Sequence, residues 1–181
     1  MKKHIIITGK RNTGKSTLLG RLLENYDGPI YGFCSGPGTA RRQGYRSYYI
    51  YPYGAPHIES DENHIGDSRM GEGFFNYDVF DNYALGLLDA KPDGIIVMDE
   101  IGFMEAGAGK FCARILELLG GDIPIIAVAK VGHDDVELLR ILHTHPNAEI
   151  FNINEENRDA VLEEILGNKT YQAIIEGLKQ E

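Results

Sequence analysis

Apolar residues along this chain fall into short runs rich in β-branched side chains, separated by stretches of helical period. His4 to Thr8 is the first run. A glycine-containing turn follows, and then Leu18, Leu19, Leu22 and Leu23 recur at spacings of three and four, which marks one face of a helix. A second run, Asp93 to Met98, ends in the acidic pair Asp99-Glu100. Helical period returns between Ala106 and Leu119, a third run spans Ile123 to Ala129, and a fourth, Glu149 to Ile153, leads into another helical stretch. Asn154 suits the cap of that last helix, with Glu155 and Glu156 in its first turn, where the helix dipole favours acids. Strands that alternate with helices and read as continuous apolar runs predict a mostly parallel sheet buried on both faces, a three-layer α/β sandwich.

The stretch from Tyr31 to Phe75 breaks this pattern. It is rich in Gly, Pro, Tyr and Arg and alternates only around Tyr45 to Tyr53, which predicts a hairpin or edge strand in an insertion of about 31–75 at the rim of the sheet. Within it, Glu59 to Asp67 has little apolar content and is expected to be a mobile loop. Lys169 to Glu181 reads as a further helix. A chain of 181 residues fits a single domain, 1–181, with the insertion inside it.

Composition narrows the partners. With 43% hydrophobic and 25% charged residues the chain is an ordinary globular one, and a net charge of −9 disfavours nucleic acid and anionic membranes. The Ile5 to Ile7 run is too short for a signal segment, and no later run reaches membrane-spanning length. Cys34 and Cys112 form no CxxC pair and suggest no disulfide scaffold, so a reducing, cytoplasmic setting is expected. A small-molecule partner follows, and if that partner is a nucleotide, an acidic protein must gather cations and backbone amides locally.

The chemistry is concentrated where the first run ends. Gly9-Lys10-Arg11-Asn12-Thr13-Gly14-Lys15-Ser16, followed by Thr17, fits GxxxxGK[ST] between a strand and a helix. The glycines let successive N–H groups turn toward phosphate oxygens, and the helix adds its positive end. Lys15 is expected on the β and γ phosphates, and the Ser16 hydroxyl on Mg²⁺. Asp99 closes a buried run and so emerges at the carboxyl edge of the sheet, the Walker B position, as a second metal ligand; Glu100 is placed to orient or deprotonate an attacking group. Acid directly after the Walker B aspartate resembles the P-loop branch in which an extra strand separates the phosphate-loop and Walker B strands. The run Ile123 to Ala129 would be that strand, with Lys130 at its end as a phosphate sensor or a surface lysine.

With these residues in place, the chain resembles the THEP1-type nucleoside-triphosphatases over most of its length. Asp99-Glu100-Ile101-Gly102-Phe103-Met104-Glu105 follows the family's DEIGxME signature. Arg41-Arg42-Gln43-Gly44-Tyr45 is similar to its RRxGF, Arg69-Met70-Gly71 with Asn76 and Phe80 keeps its spacing, and Asn157-Arg158-Asp159 matches its NRD. The resemblance implies that Arg42 and Arg69 flank the nucleotide from the inserted region and that either could stabilise charge on the transferring phosphoryl group as an arginine finger does. It also implies that Asn157 and Arg158 flank the base; a helix cap with an exposed arginine is the alternative. The chain departs from the family at Phe103, usually polar, at Gly73, usually aromatic, at Ala127-Val128-Ala129-Lys130-Val131, where threonine and proline are common, and at Arg11-Asn12 in the loop.

Residues and resemblance together predict a Mg²⁺-dependent hydrolase releasing the γ-phosphate of ATP- or GTP-type nucleotides. The same residues would serve a small-molecule kinase whose insertion binds an acceptor, or a nucleotide-dependent switch that binds another protein. A guanine-reading NKxD motif is absent, and no other base signature is evident.

Overall fold

The computed structural model describes residues 2–42, 44–69, 72–133 and 135–177; the side chains of residues 40–42 and 72 lie outside that description. Its strands are β1 (His4–Gly9), β2 (Ile30–Arg42), β3 (Tyr45–Pro52), β4 (His64–Arg69), β5 (Glu72–Phe75), β6 (Ile95–Ile101), β7 (Ile125–Lys130) and β8 (Ala148–Ile153). The helices are α1 (Lys15–Leu23), α2 (Tyr77–Val79), which runs into a π-helical turn at Phe80–Ala84, α3 (Gly109–Gly120), α4 (Glu137–Leu142), α5 (Arg158–Leu166) and α6 (Lys169–Glu176). The strands form one sheet in the order β5-β4-β3-β2-β6-β7-β1-β8. From β2 to β8 every pair is parallel, while β3, β4 and β5 continue the sheet as an antiparallel meander.

Alternation along the central strands divides the core. Ile6, Ile96, Met98 and Ala127 face one layer, where Phe33, Phe80 and Phe111 meet with ring centroids 5.4 to 5.5 Å apart. Ile5, Ile7, Val97 and Val128 face the other, against Leu19 and Leu22 of α1 and Leu162 and Ile165 of α5. Both faces of β1 are therefore dry, as the unbroken apolar run requires. Side chains fix the helix ends: Asp81 Oδ1 accepts from the Phe111 N–H at 2.9 Å in the first turn of α3. Asn168 Oδ1 accepts from the Thr170 N–H at 2.7 Å at the start of α6, and α6 docks through Tyr171, whose hydroxyl donates to the Leu22 carbonyl at 2.6 Å. Among the described residues no helix is long and apolar enough to cross a membrane.

The predicted sandwich and its extra strand are present, with β7 between β1 and β6. Three local expectations are corrected. Ile30 to Cys34 is not a rim segment; it is a core strand paired with Ile95 to Asp99. Its glycine misleads, because Gly32, at φ 104°, lies so close to β6 that any Cβ would run into the Val97 backbone. Glu59 to Asp67 is a loop only as far as Asn63, and that loop is tethered to its neighbours. Glu59 accepts from the Thr39 N–H at 2.8 Å, the side chain of Asn63 is buried and bonds Ser60 and Ile58, and His64 begins β4. Finally, Asn154 does not cap α5. It accepts from the N–H groups of Glu156 and Asn157 at 2.8 and 2.9 Å in a turn that precedes the helix, and Asn157 is the residue next to Arg158 where the helix starts.

Candidate nucleotide site

The turn between β1 and α1 is shaped by residues that tolerate positive φ. Gly9 (φ 156°) passes so close to β8 that a Cβ would strike the Ile153 carbonyl, Asn12 takes φ 62°, and Gly14 (φ 91°) precedes α1. No side chain caps α1, so its first-turn amides keep their donors for an anion. Inside the loop the Lys10 carbonyl accepts from Thr13 Oγ1 at 2.8 Å and from Lys15 Nζ at 2.7 Å. Lys15 is only 6% exposed, and its ammonium is thus held beneath the loop with one backbone partner.

Asp99 stands at the carboxyl edge of the sheet, where Ser16 Oγ donates to its Oδ1 at 2.9 Å. Burial pushes the Asp99 carboxyl up to about 6; neighbouring Glu100 raises it further, while the Ser16 hydrogen bond and Lys15 lower it. The β6–β7 register slips between Asp99 and Ile101, and Glu100 occupies the resulting bulge. Its Oε2 lies 3.7 Å from Lys15 Nζ and its Oε1 3.1 Å from Lys130 Nζ. Ser35 of β2 donates to the Glu100 carbonyl at 3.3 Å. Beyond it, the buried Glu105 carboxylate accepts from the Gly102 N–H at 2.5 Å and closes a tight turn; burial raises its pKa. Within Asp99 to Glu105, the first two carboxylates face the loop and the last closes a turn.

A cleft of about 160 Å³ opens beside the loop, lined by Gly14, Thr17, Leu18, Arg21, Arg158, Asp159 and Leu162. The Arg158 guanidinium lies over Gly14, 3.5 Å from where a Cβ there would stand. Asn157 turns its amide into the preceding turn, accepting from the Asn154 N–H at 2.7 Å and donating to the Asn152 carbonyl at 3.1 Å.

Lys10, Thr13, Lys15, Ser16, Asp99 and Glu100 thus meet at one sheet edge, and Arg158 and Thr17 join them from the cleft. Arg11 is exposed on the loop. Arg69 ends β4 at the tip of the wing made by β2 to β5, its guanidinium 3.5 Å from a Cβ position on Gly44. Six residues of β3, from Tyr51 beside Cys34 to Tyr45 beside Arg42, carry that tip roughly 20 Å along the strand. The side chains of Arg41 and Arg42, and residues Gln43, Met70 and Gly71, lie outside the described residues. Sequence reasoning did not anticipate the Lys130 contact with Glu100 or the Ser35 contact. A lysine at a strand end carries no mark of its partner, and Ser35 lay in the stretch read as a rim insertion.

A parallel sheet with one strand between β1 and β6, a glycine loop feeding α1 and a carboxylate pair facing that loop define a P-loop nucleotide-binding fold. Residues 4–166 match the model of the NTPase family, and the chain belongs to that family, the THEP1-type nucleoside-triphosphatases. The nucleoside-triphosphatase THEP1 of Aquifex aeolicus is 31% identical over 174 residues, spanning 90% of this chain and 96% of that protein. THEP1 of Thermotoga maritima is 29% identical over 167 residues, covering 90% and 92%. A cancer-related nucleoside-triphosphatase homolog of Bos taurus is 24% identical over 185 residues, covering 92% and 96%. The crystal structure of the Aquifex aeolicus THEP1 shares the fold with a TM-score of 0.69 at 24% identity in superposition, covering 90% of this chain and 96% of that one.

Proposed function

We propose that this chain hydrolyses nucleoside triphosphates to the diphosphate and inorganic phosphate, with Mg²⁺, in the cytoplasm. The observation that carries the reading is Glu100, a carboxylate one residue beyond Asp99 and 3.7 Å from the phosphate-loop lysine. Loop amides and Lys15 bind the β and γ phosphates, and Arg158 covers the sugar or base from the cleft. Glu100 holds a water in line with the γ-phosphorus and takes its proton as the bond to the β–γ bridging oxygen breaks.

The donor set suits Mg²⁺: Ser16 and Asp99 offer hard oxygens 2.9 Å apart, and burial pushes the Asp99 carboxyl up more than Ser16 and Lys15 offset, which a cation would relieve. When bound there, the metal neutralises charge on the phosphate oxygens. Arg69, with Arg42, acts from the wing tip once the wing closes on the phosphates, as an arginine finger does.

Phosphate release measured with each NTP, with and without a panel of small acceptors, tests this. Release without acceptor, abolished in Lys15→Ala, is expected. Transfer to one acceptor at a far higher rate would replace hydrolase by kinase, and negligible turnover with nucleotide-dependent protein binding would replace it by a switch.

A further inference from the structure

The cleft beside the phosphate loop runs along the seam between two helices. Thr17, Leu18 and Arg21 line it from α1 at spacings of three and four, and Arg158, Asp159 and Leu162 line it from α5 at the same spacings. Leu18 and Leu162, 4% and 3% exposed, give it an apolar floor. At about 160 Å³ it is smaller than the roughly 300 Å³ at which pockets for whole small-molecule ligands begin, so it takes one flat ring system while the phosphates stay on the loop.

Its polar lining is uneven. Arg21 and Arg158 only donate hydrogen bonds, the Thr17 hydroxyl does either, and among the described residues Asp159 is the single carboxylate that lines it. Asp159 stands in the first turn of α5, where the helix dipole favours negative charge. Its partner is Arg21, 138 residues away in sequence, with Nη1 3.5 Å from Oδ1. The two side chains are 83% and 49% exposed, and a pair so open to water yields readily to a ligand.

We propose that Asp159 reads the nucleobase and that this site prefers guanine. This deepens the hydrolase reading and takes the position of the phosphates from it. A carboxylate offers two acceptor oxygens side by side, and among the common bases guanine alone presents two N–H donors side by side, at N1 and at the 2-amino group. Adenine offers one N6 hydrogen beside a bare N1, whose lone pair the second oxygen repels. Cytosine repeats that mismatch, and uracil sets a single N–H between two carbonyls. Arg21, released from Asp159, donates to O6, the acceptor next to N1–H. The ion pair thus parts, and each member takes the complementary portion of one base edge.

Binding, read by calorimetry with Mg²⁺ present, tests this without turnover. Non-hydrolysable triphosphate analogues carrying guanine, adenine, hypoxanthine and xanthine are titrated into the wild type and Asp159→Asn. Asn keeps the size of the side chain at an exposed position, so the fold is retained. In the wild type, guanine is expected to bind about tenfold or more tighter than adenine, with hypoxanthine, which lacks the 2-amino group, in between. In Asp159→Asn, guanine should fall to the level of adenine and xanthine should gain about tenfold, because the amide oxygen accepts from N1–H while the amide nitrogen donates to the 2-oxo group. A wild type that binds adenine as well as guanine or better, a guanine preference that survives in Asp159→Asn, or a uniform loss for every base in that variant would overturn the assignment. A wild type that prefers guanine but releases no phosphate supports the role of Asp159 while overturning hydrolysis, and phosphate release without base preference does the reverse.

Discussion

Ser16 and Asp99 are joined by a 2.9 Å hydrogen bond that spans the width of β7, tying the start of α1 to the end of β6 two strands away. That bond only partly relieves a carboxylate whose pKa burial has pushed up to about 6. A carboxyl raised in the folded state contributes stability fully present below its unfolded value near 4 and lost as pH rises through the folded value near 6. Replacing Asp99 by Asn mimics the protonated form. In metal-free protein at pH 7.5, Asp99→Asn is expected to gain about 2 kcal/mol, a rise of roughly 5 °C in Tm, and the gain should vanish below about pH 4. Thermal melts across pH check this, and the same variant should lose Mg²⁺-dependent phosphate release.

Glu100 separates binding from chemistry. Glu100→Gln keeps the size of the side chain but cannot take a proton, so phosphate release should fall by about 10² to 10⁴ while a triphosphate analogue still binds. A variant that turns over at the wild-type rate would remove Glu100 from the proton-transfer role.

Arg69 and Arg158 should fail differently. Arg158 lines the cleft beside Gly14, and Arg158→Ala is expected to raise KM with kcat within about threefold of the wild type. Arg69→Ala is expected to lower kcat by about 10²-fold or more with little change in diphosphate binding. Steady-state kinetics distinguishes the two, and an Arg69→Ala enzyme with normal kcat would rule out the finger.

His4 makes the fold sensitive to acid. It is fully buried at the start of β1 with Nε2 3.0 Å from the Leu119 carbonyl, and burial lowers its pKa to about 4. A histidine depressed in the folded state contributes stability above its unfolded value near 6.5 that is lost as pH falls to about 4, some 3 kcal/mol in all. Urea titrations should show stability declining through that window, and His4→Gln, which keeps an amide donor for Leu119, should flatten the decline.

The cap on α3 is a purely structural case. Asp81→Ala removes the acceptor for the Phe111 N–H and should cost about 1 kcal/mol, measured by denaturation, without altering KM.

Legibility followed locality. The phosphate loop is contiguous and its strand, turn and helix each announce themselves, so Gly9 to Ser16 could be read directly, and Asp99 followed from the apolar run it ends. The extra strand came from resemblance, since no run states which neighbours it will pair with. The errors came where one residue type serves two purposes. Gly32 looks like a turn residue and is instead a close crossing against Val97. Asn63 sits among exposed polar residues, Ser60, Asp61 and Glu62, yet is itself buried and bonded to Ser60 and Ile58. Asn154 has the side chain of a cap but closes the turn before the helix. The Lys130 contact with Glu100 depends on a bulge in β6 and on rings from separate elements, Phe75 at the end of β5 and Phe103 and His133 in two loops, and no window of sequence contains that arrangement.

β2 is shared property. Its first five residues lie in the parallel sheet with Cys34 beside Asp99, and its last eight, from Ser35 onward, carry the arginine tip outside. The wing is therefore continuous with the core strand that ends beside Asp99, and the β2–β3 register shifts on the way out, between Pro37 and Arg41. Exchanging wings between relatives should preserve folding only when the cut falls after Cys34.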